Sequence, residues 1–311
     1  MKVYNNIHLL PVFKNAVITI GTFDGVHRGH QQILEQLIKE ATAIDGTAVL
    51  ITFYPHPKQV VSLQKGPLYI INTPEEKYDL LHRKGIEHIV VVPFDTAFAE
   101  QTATSYIKDF LADKFHPHTI IIGYDHRFGN NREGDYHLLE QEAETYNFKV
   151  KEIPEHVLKN ITVSSTKIRA SLLQGDLETA TAYLGYSYFF SGKVILGNQL
   201  GRTLGFPTAN LQVQNEQKLI PANGVYAVKI AIQGRDDHFT GMMNIGIRPT
   251  VDGSTRVIEV NIFDFDEMIY DSTLTITLVK YLRREIKFVG LDELKAQLIK
   301  DKENAKTSFK N

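Results

Sequence analysis

The first half of the chain alternates short apolar runs with segments of helical periodicity. Ala16–Ile20 is a β-branched apolar run that predicts a buried strand. A helix is predicted to start near Gly29, because apolar residues then recur at helical spacing: Ile33, Leu34, Leu37, Ile38 and Ala41. Further strands are predicted at Ala48–Phe53, His88–Val92, Thr119–Ile122 and Lys149–Ile153, and further helices at Thr73–Lys84, Ser105–Phe115, Val163–Arg169 and Asp176–Leu184. Strands alternating with helices predict a mostly parallel, doubly wound sheet.

The pattern changes from about Tyr186 onward, where the predicted strands are short and two-periodic. The clearest strands are Tyr226–Ile232, Glu259–Phe265 and Leu274–Val279, and turns are predicted at Gly197, Gly201, Asn223-Gly224, Gly234, Gly246 and Gly253. Several short strands at close spacing predict a small β-barrel, followed by a C-terminal helix at Leu291–Lys302. We therefore predict a domain boundary near Gly185, with an α/β domain over residues 1–184 and a β domain over residues 185–311.

Composition narrows the class of protein. At 311 residues the chain is long enough for two domains with full cores. A formal net charge of −2 argues against a nucleic-acid or anionic-membrane surface, and the absence of cysteine excludes disulfides, thiolate chemistry and Cys-based zinc sites. Residues 1–13 lack the features of a signal peptide, and no apolar run reaches membrane-spanning length. These features predict a soluble, cytoplasmic protein.

The stretch Gly21–His30 carries the first candidate chemistry, reading Gly-Thr-Phe-Asp-Gly-Val-His-Arg-Gly-His between a predicted strand and a predicted helix. A glycine-rich turn there directs backbone N–H groups and a positive helix end toward an anion. His27 and His30, separated by a glycine, add side-chain donors. Phosphate is the expected ligand, although a single strand–glycine–helix junction is more often a plain tight turn.

Two further segments follow predicted strands of the same sheet, Tyr54–Pro57 and Gly123–Gly129. Because ligands bind at the carboxyl ends of parallel strands, both are expected to converge with Gly21–His30. Each is a weak signal alone: Pro-His-Pro is more often a rigid turn, and Asp125 with Arg127 more often a surface pair.

A later helix start combines hydroxyl and cationic side chains. Ser164, Ser165 and Thr166 precede Lys167 and Arg169. The hydroxyls are consistent with a plain N-cap, but the same groups with two cations also suit a polyphosphate.

A second glycine-rich stretch spans Gly197–Asn210. Gly197, Gly201 and Gly205, together with Arg202, predict a flexible loop whose amides face phosphate oxygens. Thr208 and Asn210 offer neutral oxygen ligands suited to Mg²⁺. Neither glycine-rich stretch is a P-loop, because GxxxxGK[ST] is absent. Glu259 alone would be an ordinary outward-facing strand carboxylate.

Taken together, these motifs resemble two enzyme families in order along the chain. Gly21–His30 resembles the HxGH signature of nucleotidyltransferases in the form seen in bacterial FAD synthetases, and Ser164–Arg169 resembles their SSTxIR motif. Gly205–Asn210 resembles the GxPTAN motif of riboflavin kinases, which Asn244–Thr250, Glu259 and Leu282–Phe288 also match. The chain is thus similar to bifunctional riboflavin kinase/FMN adenylyltransferases over nearly its whole length.

The resemblance implies two reactions that use Mg²⁺ and ATP: phosphorylation of riboflavin to FMN by a six-stranded barrel domain, and adenylylation of FMN to FAD by the first domain. It implies catalytic roles for His27, His30, Arg169 and Glu259. It implies nucleotide contacts in the first domain from Gly21, Phe23, Asp24, Gly25, Gly29, Asp125, Arg127, Ser164, Thr166 and Lys167. In the second domain it implies nucleotide contacts from Gly197, Gly201, Arg202 and Gly205, flavin contacts from Asn244, Arg283 and Glu285, and metal ligation by Thr208 and Asn210.

Three positions depart from the family pattern. Asn261 stands where histidine is usual, Asp271 where glycine usually follows Tyr270, and His126 where phenylalanine is common. The alternatives are a FAD synthetase with a weak or inactive kinase domain, a flavin-binding regulatory relative, and another HxGH nucleotidyltransferase such as a cytidylyltransferase or a pantetheine-phosphate adenylyltransferase. The barrel motifs oppose the last, and retention of both histidines and Glu259 opposes a non-catalytic relative.

Overall fold

The computed structural model describes residues 1–61, 68–153, 163–197, 200–250 and 253–310. The chain divides into two compact units, Met1–Ser165 and Thr166–Asn311. In the described ranges, no helix is both long enough and apolar enough to cross a membrane.

The first unit contains a six-stranded, fully parallel sheet. Its strands are β1 (Lys2–Tyr4), β2 (Val17–Ile20), β3 (Ala48–Tyr54), β4 (His88–Pro93), β5 (Thr119–Gly123) and β6 (Lys149–Ile153). They lie in the order β1-β4-β3-β2-β5-β6. The chain order reverses around β2, so the loops after β3, β2 and β5 lie side by side at one edge of the sheet. This confirms the doubly wound fold predicted from the alternation of elements.

The helices of the first unit follow the predicted apolar periodicity in most places. They are α1 (Arg28–Ala43), α2 (Pro57–Val61), α3 (Pro74–Arg83), α4 (Thr96–Ala99), α5 (Ala103–Ser105), α6 (Asp113–Phe115) and α7 (Tyr136–Ala143), with a π-helical segment at Tyr106–Ala112 and a 3₁₀ turn at Asn130–Arg132. α1 buries Leu34, Leu37 and Ala41, and α3 starts with the predicted Thr73 capping box. The helix predicted over Ser105–Phe115 is α-helical only at its two ends.

The second unit is a closed antiparallel barrel in the strand order β10-β11-β8-β7-β12-β9. Its elements are α8 (Ser165–Gln174), α9 (Leu177–Leu184), β7 (Phe189–Ile195), α10 (Leu200–Thr203), β8 (Ala209–Gln212), β9 (Gly224–Ile232), β10 (His238–Thr250), β11 (Gly253–Ile262), β12 (Thr273–Arg283) and α11 (Leu291–Thr307). β12 begins Thr-Leu-Thr-Ile-Thr-Leu and alternates strictly between half-buried and buried residues, as a barrel strand with one face inward must.

Four features of the predicted second half are wrong. The strands predicted to be short are long, since β9, β10, β11 and β12 have 9, 13, 10 and 11 residues. The strand predicted to reach Phe265 ends at Ile262, because Asp264 turns the chain with φ of 53°. Gly246 lies inside β10 and not in a turn. Gly201 lies in the short helix α10 and not in an open loop.

Candidate active sites

The loop between β2 and α1 has a strained backbone. Phe23, Gly25 and Val26 all have positive φ, at 48°, 88° and 36°. Two of these are bulky residues, for which such conformations cost about 1–3 kcal/mol each. Strain of this kind persists only where the surroundings fix it, and here the loop leads directly into the positive end of α1.

The two histidines of this loop lie against each other. His27 is the N-cap of α1, and its Nδ1 accepts a hydrogen bond from the His30 backbone N–H at 3.3 Å. Their rings stack at a centroid distance of 3.6 Å. Gly29 allows this arrangement, because a Cβ there would lie 3.3 Å from the His27 ring. Since Nδ1 of His27 is an acceptor, its neutral ring carries the proton on Nε2, where it can be donated.

Both imidazoles are neutral at physiological pH. Burial lowers the pKa of His27 to about 4. Burial, together with the charges of His27 and Lys77, holds the pKa of His30 well below its usual range. Nδ1 of His30 is buried and has no hydrogen-bond partner within the described part of the chain. Such an atom indicates a ligand position.

Asp24 is an anchor within the loop. It is 4 % exposed, and its Oδ1 accepts hydrogen bonds from the backbone N–H groups of Ile71 at 2.9 Å and Asn72 at 3.3 Å. These contacts tie the loop to the segment that leads into α3. Asp24 therefore acts on the loop conformation through the backbone before α3.

Lys77 was not predicted as a site residue from the sequence, yet it lies beneath this loop. It is 8 % exposed, and its Nζ donates to the Thr22 carbonyl at 3.2 Å and to Thr52 Oγ1 at 2.9 Å. Burial lowers its pKa to about 8, against the charge of Asp24. The helix pattern contained a signal, because Lys77 precedes Leu80 and Leu81 by three and four residues and so falls on the buried stripe.

The loop after β5 carries the second predicted group. Asp125 is exposed, and Arg127 pairs with Asp135 at 3.7 Å and not with Asp125. Burial and two nearby arginines lower the pKa of His126 to about 4, and its Nε2 is buried with no partner among the described residues. Phe128 stacks on Tyr106, at the start of the π-helical segment, with ring centroids 4.9 Å apart.

The start of α8 contacts the strained loop between β2 and α1 through one residue. Ser165 Oγ donates to the Asp24 carbonyl at 2.9 Å. Ser164 is half-buried beside it. The next residues of the motif belong to the second compact unit, which begins at Thr166. Nucleotide binding by Thr166, Lys167 and Arg169 therefore stays a prediction.

In the barrel, three predicted residues form one row across adjacent strands. Glu259 of β11 lies directly opposite Asn244 of β10 on one side and Asn210 of β8 on the other. Directly opposite residues share a face of the sheet. Thr208, two residues before Asn210, extends this face by the two-residue period of a strand.

Glu259 lies at a cavity of about 210 Å³. Several predicted site residues line this cavity together with apolar side chains from the barrel and α11: Gly201, Thr208, Asn244, Glu259, Arg283, Glu285, Phe206, Met242, Leu294 and Leu298. A mostly apolar cavity with a few convergent polar groups is typical of a small-molecule site.

Two contacts at this cavity involve residues outside the predicted set. Arg248 Nη2 donates to Glu259 Oε1 at 2.9 Å, which gives the carboxylate a counter-charge. Asn261, on the same strand and the same face as Glu259, donates from Nδ2 to the Pro207 carbonyl at 2.7 Å. Asn261 thereby holds the segment that carries Thr208.

Arg283 is engaged by the C-terminal helix. Its guanidinium forms a two-pronged ion pair with Asp301 of α11, Nε to Oδ1 at 2.9 Å and Nη2 to Oδ2 at 2.6 Å. Asp301 is 1 % exposed and also accepts from Gln297 at 2.8 Å. In this arrangement Arg283 connects β12 to a wall of the cavity.

The remaining predicted residues lie around the cavity rim and the loop before β8. Glu285 accepts from Asn223 at 3.2 Å and packs against Gly246, where any Cβ would collide with its carboxylate. A side chain at position 246 would therefore require the Glu285 carboxylate to move. Gly197 lies against the Asn210 amide, Arg202 is exposed in α10, and Gly205 has φ of 82°. Asp271, with φ of 65°, pairs with Lys193 at 2.8 Å.

The donors available for a metal ion are neutral oxygens. In the described ranges, no group of three or more His, Asp or Glu side chains is arranged to hold one. Thr208 and Asn210, beside the Glu259 carboxylate, instead provide the oxygen donors that a hard divalent cation accepts while it keeps water and phosphate in its shell.

Two family models match the chain in succession. The model for FAD synthetases matches residues 11–167, and the model for riboflavin kinases matches residues 184–309. The first match contains the strained loop with His27 and His30. The second contains the row of Asn244, Glu259 and Asn210.

Full-length relatives show the same pairing. Bifunctional riboflavin kinase/FMN adenylyltransferases from Haemophilus influenzae and Escherichia coli K12 are 36 % and 35 % identical to this chain, over 96 % and 99 % of its length and 96 % and 98 % of theirs. The enzyme of the same description from Buchnera aphidicola is 39 % identical over 99 % of both chains.

A solved structure is also similar along the whole chain. It is described as a macrolide-efflux protein from Streptococcus pneumoniae, is 30 % identical, covers 98 % of both chains and has a TM-score of 0.85. The efflux description belongs to that protein. What the two chains share is sequence and fold over their full lengths.

Proposed function

This chain belongs to the family of bifunctional riboflavin kinase/FMN adenylyltransferases, and from that premise we propose which of its residues carry each of the two reactions. The enzyme makes flavin cofactors. It transfers a phosphoryl group from ATP to riboflavin, giving FMN, and an adenylyl group from ATP to FMN, giving FAD and pyrophosphate.

Phosphoryl transfer is assigned to the barrel, and the row of Asn244, Glu259 and Asn210 beside the cavity is the observation that carries this assignment. A kinase must remove the proton of the ribityl hydroxyl as the new bond to phosphorus forms. Glu259 is the proposed base. Arg248 binds its Oε1, and we assign Oε2 to the hydroxyl. The apolar cavity wall then receives the flavin ring, with Asn244 and Glu285 at its polar edge.

A divalent metal is expected in this enzyme, since enzymes of these two families are ATP-dependent and generally need one. We assign Mg²⁺ to Thr208 and Asn210, whose neutral oxygens fit it. When bound, the ion neutralises developing charge on the phosphate oxygens. Gly197, Gly201, Arg202 and Gly205 complete the nucleotide side of this site.

Adenylyl transfer is assigned to the strained loop of the first unit. The FMN phosphate is already largely ionised near neutral pH, so this step needs no base. It needs hydrogen-bond donors at the α-phosphate and the leaving pyrophosphate. His27 offers Nε2–H, and beside it lie the N-terminal amides of α1 and the buried Nδ1 of His30, which has no hydrogen-bond partner among the described residues. Ser164, Thr166, Lys167 and Arg169 are proposed to hold the rest of the triphosphate.

The corresponding domains are proposed to be residues 1–184 and 185–311, as the sequence pattern predicts. A cytoplasmic location also stays a prediction from the sequence.

Two substitutions test the residue assignments, and each is a control for the other. Glu259→Gln keeps the shape of the side chain but cannot accept a proton, so riboflavin phosphorylation should fall by roughly 10²–10⁴. His30→Ala removes a group facing the phosphates and should lower adenylylation of supplied FMN by about 10²–10³. Initial rates with riboflavin and with FMN, measured separately on each variant, report the two steps.

Each variant should retain the other activity, and its circular dichroism spectrum should match that of the parent protein, which shows that the altered unit is folded. Normal phosphorylation by Glu259→Gln would mean that the base lies elsewhere. Normal FAD formation by His30→Ala would remove the loop from the adenylyl-transfer site.

A further inference from the structure

Lys77 is a buried cation without an ion-pair partner in the described part of the chain. Its two hydrogen bonds go to the Thr22 carbonyl and to Thr52 Oγ1. Its surroundings contain three titratable groups: Asp24 of the loop, His30 of α1 and Tyr78, whose ring centroid lies 5.8 Å from Nζ. Asp24 is the only acid among them, and its Oδ1 is bonded to two backbone amides.

Holding the loop does not by itself require a lysine at this place. Thr52 Oγ1 already donates to the Thr22 carbonyl at 3.1 Å. A buried ammonium makes the folded protein less stable unless its charge is compensated. If Lys77 had only a structural role, its buried charge would therefore lower the stability of the folded protein. An apolar side chain such as Met would fill the same space without an ionic group.

The positive charge of Lys77 can serve an anion-binding site because neither histidine carries a charge. His27 and His30 are neutral, so the loop residues that face a phosphate group contribute dipoles and no formal positive charge. Lys77 lies directly behind the loop and is close enough to His30 for its charge to lower the pKa of that imidazole. A polyanion bound in front of the loop would supply the compensating charge that Lys77 lacks.

We propose that Lys77 is a positioning residue of the adenylyl-transfer site, fixing the Thr22 end of the strained loop and supplying, from behind it, the positive charge that favours the triphosphate of ATP. This inference rests on the assignment of adenylyl transfer to the loop. It adds a residue from α3 to a site whose other expected members come from the β2–α1 loop, α1, the loop after β5 and the start of α8.

The test compares Lys77→Met, Lys77→Arg and the control Lys84→Met, which removes an exposed lysine from the end of the same helix. Lys77→Met should lower kcat/KM for ATP in adenylylation of FMN by about 10²–10³. Riboflavin phosphorylation should be unchanged, and urea unfolding of the first unit should need no less denaturant than in the parent protein. Lys84→Met should match the parent in every measurement.

The pH profile separates a role for charge from a role in packing. In the parent, kcat/KM for ATP should fall above pH 8, because a lysine of pKa about 8 in the free enzyme loses its proton there. Lys77→Arg stays charged, so this alkaline decline should disappear. An unchanged kcat/KM in Lys77→Met, or an alkaline decline that persists in Lys77→Arg, would overturn the proposal.

His30→Ala, assayed alongside, separates this inference from the site assignment. If His30→Ala loses FAD formation and Lys77→Met keeps it, only the role of Lys77 is wrong. If both keep it, the loop is not the site, and both proposals fail.

Discussion

At the scale of single residues, burial keeps both histidines of the strained loop uncharged. A neutral imidazole can donate a hydrogen bond to a phosphate without carrying a formal positive charge. The same burial couples the loop to pH, because a histidine that is neutral when folded takes up a proton when the chain unfolds.

The stability of the first unit should therefore fall as the pH drops below about 6.5. The unfolded His27 binds a proton below that pH while the folded one, with a pKa of about 4, does not. The contribution is complete above pH 6.5 and is lost progressively toward pH 4. Between pH 6.5 and 5 it amounts to about 2 kcal/mol for His27 alone. Urea unfolding followed by circular dichroism at several pH values measures it.

His27→Gln should lose about that much of the pH dependence. The matched control is His137→Gln, which replaces an exposed histidine on α7 and should keep the parental slope. A His27→Gln protein with the full parental slope would show that His27 is not the residue responsible.

Much of the residue-level site follows from short-range pattern. His27, His30, Thr208 and Asn210 stand in dense motifs, and the spacing of Glu259 and Asn261 correctly predicts that they share a face. Lys77 was missed because a lysine after two glutamates in a first helical turn reads as solvated. Its burial depends on β3 and the loop, which lie 25 and 55 residues earlier in the chain.

At the scale of elements, the C-terminal helix forms part of the wall of the barrel cavity, where we propose the kinase site. Leu294 and Leu298 of α11 line the cavity, and Asp301 fastens the helix to β12 through Arg283. The resemblance implied that Arg283 contacts flavin. Its observed ion pair indicates a second role, in setting the position of the cavity wall.

Cutting this ion pair should weaken both the barrel and its flavin site. Asp301→Asn leaves Arg283 partly buried without a counter-charge, which typically costs about 3–5 kcal/mol. Riboflavin KM should rise more than kcat falls, because Glu259 and the metal ligands are left in place. Thermal unfolding and initial-rate kinetics with riboflavin measure the two effects.

Glu303→Gln is the matched control, since it removes an exposed acid from the same helix. It should behave like the parent protein, and adenylylation of supplied FMN should be normal in both variants. An Asp301→Asn protein with parental stability and KM would show that the ion pair does not position α11.

Element boundaries were predictable where periodicity is local. The strand Lys149–Ile153 agrees at both ends, and Thr73 caps α3 as predicted. β1 was missed because three residues carry no period. The π-helical segment and the position of Gly246 inside β10 could not be inferred, because the sequence carries no local signal for either.

At the scale of the whole molecule, the helix pair α8–α9 is linked to the first domain by its sequence motif and to the second unit by its contacts. Its sequence motif, Ser164–Arg169, is implicated in adenylyl transfer. Beyond Ser165, the helices contact the second unit: the Ala222 N–H donates to the Leu172 carbonyl at 3.0 Å, and Gly175 lies against the Tyr281 ring. The division after Ser165 therefore reflects the contacts of these helices, whereas the predicted boundary near Gly185 reflects the change in sequence pattern.

Overlapping fragments should consequently perform better than fragments that meet at one boundary. Residues 1–184 should convert FMN and ATP to FAD, whereas residues 1–165 should not, because they lack Thr166, Lys167 and Arg169. Residues 166–311 and 185–311 should both phosphorylate riboflavin. The shorter of these should be the less stable, since without α8 and α9 it exposes barrel surface that the helices cover, such as the Tyr281 ring beside Gly175.

Thermal unfolding and separate assays of the four fragments decide between the two boundaries. FAD formation by residues 1–165 at the rate of residues 1–184 would exclude α8 from the adenylyl-transfer site. Equal stability of residues 166–311 and 185–311 would mean that α8 and α9 contribute nothing to the barrel, despite the Leu172 hydrogen bond. If residues 1–184 and 166–311 both fold and neither has its assigned activity, the assignment of the two reactions to the two halves of the chain is wrong.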